Sequence, residues 1–175
     1  PGESITVPLH TPHHFFNIGK DAVTCHVKFT PAYDDFIKGL AIGYGLATDG
    51  GNGLWTTDIH SNKLYKFSRD LGMLMNIITI KGAGDSLFTD LSFDRDSGLI
   101  YVHRLDDYDG TSTTVFVIDT FGTVKRSFPS QARRYGVGLE YINGDLYGSE
   151  RDGEQRIVIM DPITGALRSS ISNPF

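Results

Sequence analysis

The sequence lacks most of the features by which a chain is classified at sight. Its 175 residues contain a single cysteine, Cys25. No intrachain disulfide is available, and stability has to come from packing or from partners. No apolar run approaches the roughly 18 residues that span a bilayer as a helix; the longest, Leu71 to Ile80, already contains Gly72 and Asn76. Positive charge is not in excess either. Sixteen Lys and Arg against 21 Asp and Glu leave a net charge of −5, so the chain offers no basic footprint for nucleic acid. No G-x-S-x-G nucleophile elbow occurs, and Gly50-Gly51-Asn52-Gly53 has no helix pattern behind it with which to bind a phosphate. The chain starts at Pro1 without an initiator Met or a signal-peptide pattern, as a fragment or a mature form would.

The 39% hydrophobic content excludes a disordered chain, and the 20 glycines stand well above an average of about 7%. These glycines punctuate a repeat. Three segments align: Gly45 to Trp55, Asp90 to Tyr101 and Val137 to Tyr147. Each is a short apolar strand, a Gly/Asn/Asp turn and a second strand ending on an aromatic residue. The aromatic anchors Trp55, Tyr101 and Tyr147 are 46 residues apart in both intervals. Downstream, Lys63 to Phe67, Thr114 to Ile118 and Arg156 to Met160 alternate as third strands. Turns at Gly72, Gly122 and Gly165 lead to fourth strands at Met73 to Ile78, Thr123 to Phe128 and Ala166 to Ile171. Four antiparallel strands per repeat of this length predict an all-β chain of three β-propeller blades, over about residues 43–80, 87–129 and 136–175. Propellers close with about four to eight blades. Three leave the ring incomplete, and a homo-oligomer is one way to complete it.

The third repeat carries the clearest family signature, in Gly138-Leu139, Asp145-Leu146-Tyr147 and Arg156-Ile-Val-Ile-Met-Asp-Pro-Ile-Thr-Gly165. It resembles extracellular propeller repeats of the type G-L-x-x-D-G…L-W-x-x-D…K-I-Y-x-I-D-P-x-T-G-x-V. The resemblance implies the fold and leaves the function open, because such blades serve lactonases, cyclotransferases, lyases and pure binding proteins.

Residues 1–42 read differently. Gly2, Pro8, His13 and Asn17 fall at the positions of the second cupin motif, G-x5-P-x-G-x2-H-x3-N, with His10 in place of its middle Gly. The tail Thr30-Pro31-Ala32, Phe36 and Leu40 also resembles that of small cupins. The resemblance implies a cupin-like C-terminal half and makes His13 a ligand for a divalent transition metal; separately, Tyr33, Phe36, Ile37 and Leu40 on one face predict a short helix over residues 34–41. The family's first motif, which supplies the other ligands, does not occur in the sequence. An alternative treats residues 1–44 as a divergent fourth blade, making a four-bladed propeller.

Candidate functional residues gather just after the second strand of each repeat: Asp58 and His60, His103 and Arg104, Glu150 and Arg151. Asp58, Arg104 and Glu150 keep the 46-residue spacing, so they occupy equivalent positions at one end of the blades. A ring of mixed charge there predicts a ligand-binding face. Asp107 and Asp109 resemble part of a calcium loop that has Leu105 where the pattern needs an acid. Three functions follow: a non-catalytic binding module for a protein or glycan, acting outside the cytoplasm; a cupin-type metal-dependent dioxygenase or isomerase using His13; or an inactive excerpt of a larger fusion.

Overall fold

The computed structural model describes residues 43–59, 61–70, 72–84, 87–107, 110–133, 138–150 and 155–172. The cupin-type segment with His13, and the helix expected over residues 34–41, lie outside the described residues.

The described chain is all-β, with twelve strands and no helix. Strands β1 (Gly43–Thr48), β2 (Gly53–Asp58), β3 (Lys63–Ser68) and β4 (Leu74–Thr79) pair in chain order as one antiparallel sheet. A second sheet holds β5 (Leu87–Asp94), β6 (Leu99–Leu105), β7 (Thr113–Ile118) and β8 (Val124–Pro129). The third holds β9 (Leu139–Ile142), β10 (Asp145–Ser149), β11 (Arg156–Met160) and β12 (Leu167–Ser172). The aromatic anchors keep one register throughout: Trp55 pairs with Ala47, Tyr101 with Ser92 and Tyr147 with Glu140. The sheets are the three blades that the glycine-punctuated repeat predicts, and among the described residues they form an unclosed ring.

Side-chain alternation explains how the blades stack. Even-numbered residues of the middle blade, Ile100, Val102, Phe116 and Ile118, enter a first core with Trp55, Leu64 and Ile78 of blade 1. Odd-numbered residues, Tyr101, Val115 and Val117, enter a second core with Leu139, Leu146 and Met160 of blade 3. A sheet covered on both faces buries both sets of its alternating side chains, which is why β7 reads as a nearly continuous apolar run. At about 1.5–3 kcal/mol for each large apolar side chain removed from water, the two seams carry most of the folding free energy.

The seams are tight because each is entered by a glycine turn. Between β7 and β8 the Asp119 carboxylate accepts the amides of Phe121 and Thr123, both at 2.9 Å, and Gly122 takes φ +78°. Between β11 and β12 Asp161 accepts the amides of Ile163 (2.9 Å) and Thr164 (2.8 Å), and Gly165 takes φ +73°. Each turn rests on the outer strand of the preceding blade. A β-carbon at Gly122 would lie 2.7 Å from Ile78 Cγ2, and one at Gly165 would lie 2.9 Å from the Pro129 carbonyl oxygen. The Gly122 carbonyl also accepts the Lys81 amide at 3.1 Å, tying the turn to the chain that leaves blade 1.

Gly122→Ala should therefore lose about 2–5 kcal/mol in urea denaturation, combining the left-handed backbone cost with overpacking of the seam. Gly144→Ala, at φ +86° with no heavy atom near its new methyl group, should lose only the backbone share of about 1–2 kcal/mol. Equal losses would show that the seam tolerates a side chain.

Candidate functional site

In sheets of this order, the connections between second and third strands, and those leading from one blade to the next, emerge at the same end. The described sequence-marked residues, Asp58, His103, Arg104, Asp107 and Glu150, lie toward that end, and most of them are bonded to their own blade. Asp58, at the end of β2, is buried and accepts Ser61 Oγ at 2.9 Å and Tyr65 O–H at 3.5 Å. Glu150, just after β10, accepts Arg156 Nε at 2.9 Å, while its amide donates to the Arg156 carbonyl. His60, Arg151 and Asp109 lie outside the described residues.

His103 and Arg104 are neighbours on β6, so they point into opposite seams. His103 is 1% exposed. Its Nε2–H donates to the Ala132 carbonyl at 3.2 Å, which leaves Nδ1 to accept the Thr89 hydroxyl at 2.8 Å. Thr113 Oγ1 donates to the same carbonyl at 2.9 Å. Sequence spacing placed His103 at a ligand-facing position; the structure makes it an internal strut between blade 2 and the chain entering blade 3. Arg104 turns toward blade 1, where it donates to the Ala83 carbonyl at 2.9 Å, lies 4.6 Å above the Phe116 ring and pairs with Asp106. Three partners fix its guanidinium.

The connection between β6 and β7 is braced by two adjacent carboxylates. Asp106 accepts Thr114 Oγ1 at 2.8 Å and Ser112 Oγ at 3.2 Å, besides pairing with Arg104. Asp107 accepts the Thr111 hydroxyl (2.6 Å) and amide (2.9 Å) and the Ser112 amide (3.1 Å). The Thr111 hydroxyl leads the donors that hold the Asp107 carboxyl below the usual range. Both oxygens of Asp107, expected as a calcium ligand, are thus engaged by its own loop. Among the described residues no group of three or more His, Cys, Asp or Glu side chains is arranged to hold a metal.

The repeat pattern under-reported one residue. Two positions before Ala47, Ser92 and Glu140 stand Gly45, Asp90 and Gly138, so the middle blade alone carries a side chain there. Asp90 is buried on the inner strand β5. Its Oδ1 accepts the Leu91 amide at 2.8 Å, and its Oδ2 accepts the Leu139 amide of blade 3 over a short distance. On the other side, a β-carbon at Gly45 of blade 1 would lie 2.6 Å from Asp90 Cα. Ser92 repeats the link, accepting the Tyr141 amide at 2.8 Å and donating to Glu140 at 3.2 Å. The broken glycine pattern was the sequence signal that could have found this pin.

Burial pushes the Asp90 carboxyl up to about 6, against the two amide bonds that favour its charge. Burial also pulls His103 down to about 4, against the Ala132 carbonyl that favours the imidazolium.

No protein-family model and no curated protein sequence matches the chain. Solved structures do. A glutaminyl cyclase from Myxococcus xanthus is similar at 20% identity and TM-score 0.57, over 75% of this chain and 51% of that one. A chain of a nidogen/laminin complex is similar at 13% and 0.56, over 75% and 47%. The WD40 repeats of RRP9 are similar at 10% and 0.52, over 75% and 38%. The chain spans about half the length of the first two. Likeness at these identities establishes the fold, a set of β-propeller blades.

Asp90 and His103 generate opposite proton linkages. A carboxyl raised from 3.8 to about 6 stabilises the fold fully below 3.8, and loses that contribution as pH rises through 6. A histidine lowered from 6.5 to about 4 contributes above 6.5 and loses it as pH falls through 4. Each is worth about 3 kcal/mol, so they offset one another between roughly pH 4 and 6.5. Chemical denaturation across that window should show Asp90→Asn losing stability on acidification and His103→Gln gaining it, with the parent flatter than both. Parallel slopes for the two variants would refute the assignment.

Proposed function

We propose that the chain is a non-catalytic propeller module that binds a protein or glycan ligand outside the cytoplasm. Its binding face is the end of the blades bearing Asp58, Arg104 and Glu150, to which the sequence spacing adds His60 and Arg151. The observation that carries this reading is the bracing of the β6–β7 connection by Asp106 and Asp107. A surface whose loops are fixed before contact loses little conformational entropy on binding, which favours affinity from a modest contact area. Asp58 and Glu150, the carboxylates on which acid–base chemistry would draw, are likewise engaged, by Ser61 and Tyr65 and by Arg156. A structural neighbour drawn from a nidogen/laminin complex supports a protein partner for blades of this kind.

Biolayer interferometry against immobilised laminin, together with a glycan array, tests the reading. The protein should bind at least one probe, and the Asp106→Ala, Asp107→Ala double variant should weaken binding about tenfold, equivalent to about 1.4 kcal/mol. Phe121→Ser, on the exposed β7–β8 turn at the opposite end, should leave binding unchanged. Turnover of a model lactone or ester that disappears in Asp58→Ala or Glu150→Ala would overturn the proposal.

A further inference from the structure

Each sheet ends on a strand with a neighbour on one side only, and on the rim of the blades these are β4, β8 and β12. Such an edge presents unpaired N–H and C=O groups, and charge, proline and bulges are the devices that keep other chains off it. All three strands share a bulge at one equivalent place in the register. In the other devices they differ. β8 carries Lys125, Arg126 and Pro129, and β12 carries Arg168 among three serines. β4, Leu74–Thr79, carries no charge and no proline. Its apolar side chains are open as well: Met75 is 54% and Ile77 47% exposed, and Met73, just before the strand, 47%. The backbone is free at the same place. The Ile80 amide donates to the Asn62 carbonyl at 2.8 Å. In the antiparallel register Ile78 therefore bonds to Leu64, while Ile77, opposite Tyr65, turns its N–H and C=O away from β3. Among the described residues no strand pairs with that side.

We infer that β4 is a docking edge for an extended peptide segment of a partner protein, which adds a fifth strand to the sheet of blade 1. The unpaired backbone groups specify the conformation of the occupant, since an extended chain is what pairs with an edge. The open side chains specify its chemistry. Two of the protein's three methionines lie here, and flexible thioethers adapt to apolar side chains of varied shape. With no charge on β4 to be paired, the segment carries apolar residues at alternate positions and no proline. A single strand, rather than a second copy of the chain, suits the place. The Gly122 turn of blade 2 lies on Thr79 at one end of β4, and the Phe121 side chain of that turn is exposed. An added strand needs only about 4.8 Å beside the edge, whereas a second blade would meet that turn. The inference rests on the edge and is independent of the ligand face proposed above.

Selection of phage-displayed random dodecapeptides on the full chain tests this, followed by fluorescence polarisation with the leading peptide. Peptides with alternating apolar residues should be recovered. The leading one should bind at least about tenfold more weakly to Ile77→Lys, which puts a charge on the edge at a half-exposed position. It should bind equally well to Ser170→Lys, on the exposed β12 edge, and to the Asp106→Ala, Asp107→Ala double variant of the ligand face. N-methylation of one alternate set of the peptide's amides should abolish binding, and methylation of the other set should not, because only one side of an added strand faces β4. Recovery of no peptide that Ile77→Lys weakens, or equal effects of the two methylated sets, would overturn the inference. So would a concentration-dependent dimer that Ile77→Lys dissociates, which would assign the edge to a second copy.

Discussion

In both seams among the described residues, the turn of one blade lies so close on the outer strand of the blade before it that there is no room for a side chain. Gly122 and Gly165 are left-handed residues set by the carboxylates of Asp119 and Asp161, and each touches the outer strand of the blade before it. Lys125 leads the groups holding Asp119 down at about 2, and the Thr164 amide leads those lowering Asp161. The charge that orders each turn therefore persists far into acid. The apolar clusters are the bulk of the stability, but the turns decide whether they can form at all.

Within that frame the middle blade is exceptional. It is covered on both faces, and it is where the polar groups of the interior are concentrated: Asp90 and Ser92 toward blade 3 along the inner strand, His103 and Thr113 on the Ala132 carbonyl. Each is paired, which is the condition for burying such groups at tolerable cost. They act together as register marks, since a one-residue slip of β9 would move the Leu139 and Tyr141 amides off both acceptors.

Much of this was legible in the sequence. Trp55, Tyr101 and Tyr147 gave the period, and Gly72, Gly122 and Gly165 marked the third turn of each blade, because these positions answer to local geometry that repeats. The direction in which a side chain faces is not local. Asp58, Arg104 and Glu150 share a spacing, yet one accepts hydroxyls, one lies over a ring in a seam and one holds an arginine. The repeat predicts His103 just after the second strand, whereas β6 runs on to Leu105 and holds it inside the sheet, where the chain entering blade 3 covers it. Asp90 was legible only as an exception to the glycines at 45 and 138, and an exception acquires meaning once the adjoining strand is seen.

That exception bears on how such a chain can grow. Repeat proteins lengthen by copying a unit, but the middle unit cannot be copied beside itself. Its Asp90 already occupies the Leu91 amide and reaches the Leu139 amide. A second aspartate at the position of Gly45 would crowd the carboxylate that Asp90 holds on the Leu91 amide, in a gap where even a β-carbon would lie 2.6 Å from Asp90 Cα. A blade of the middle type therefore needs a glycine-bearing blade before it. The order of units is thereby written into the axis of the protein.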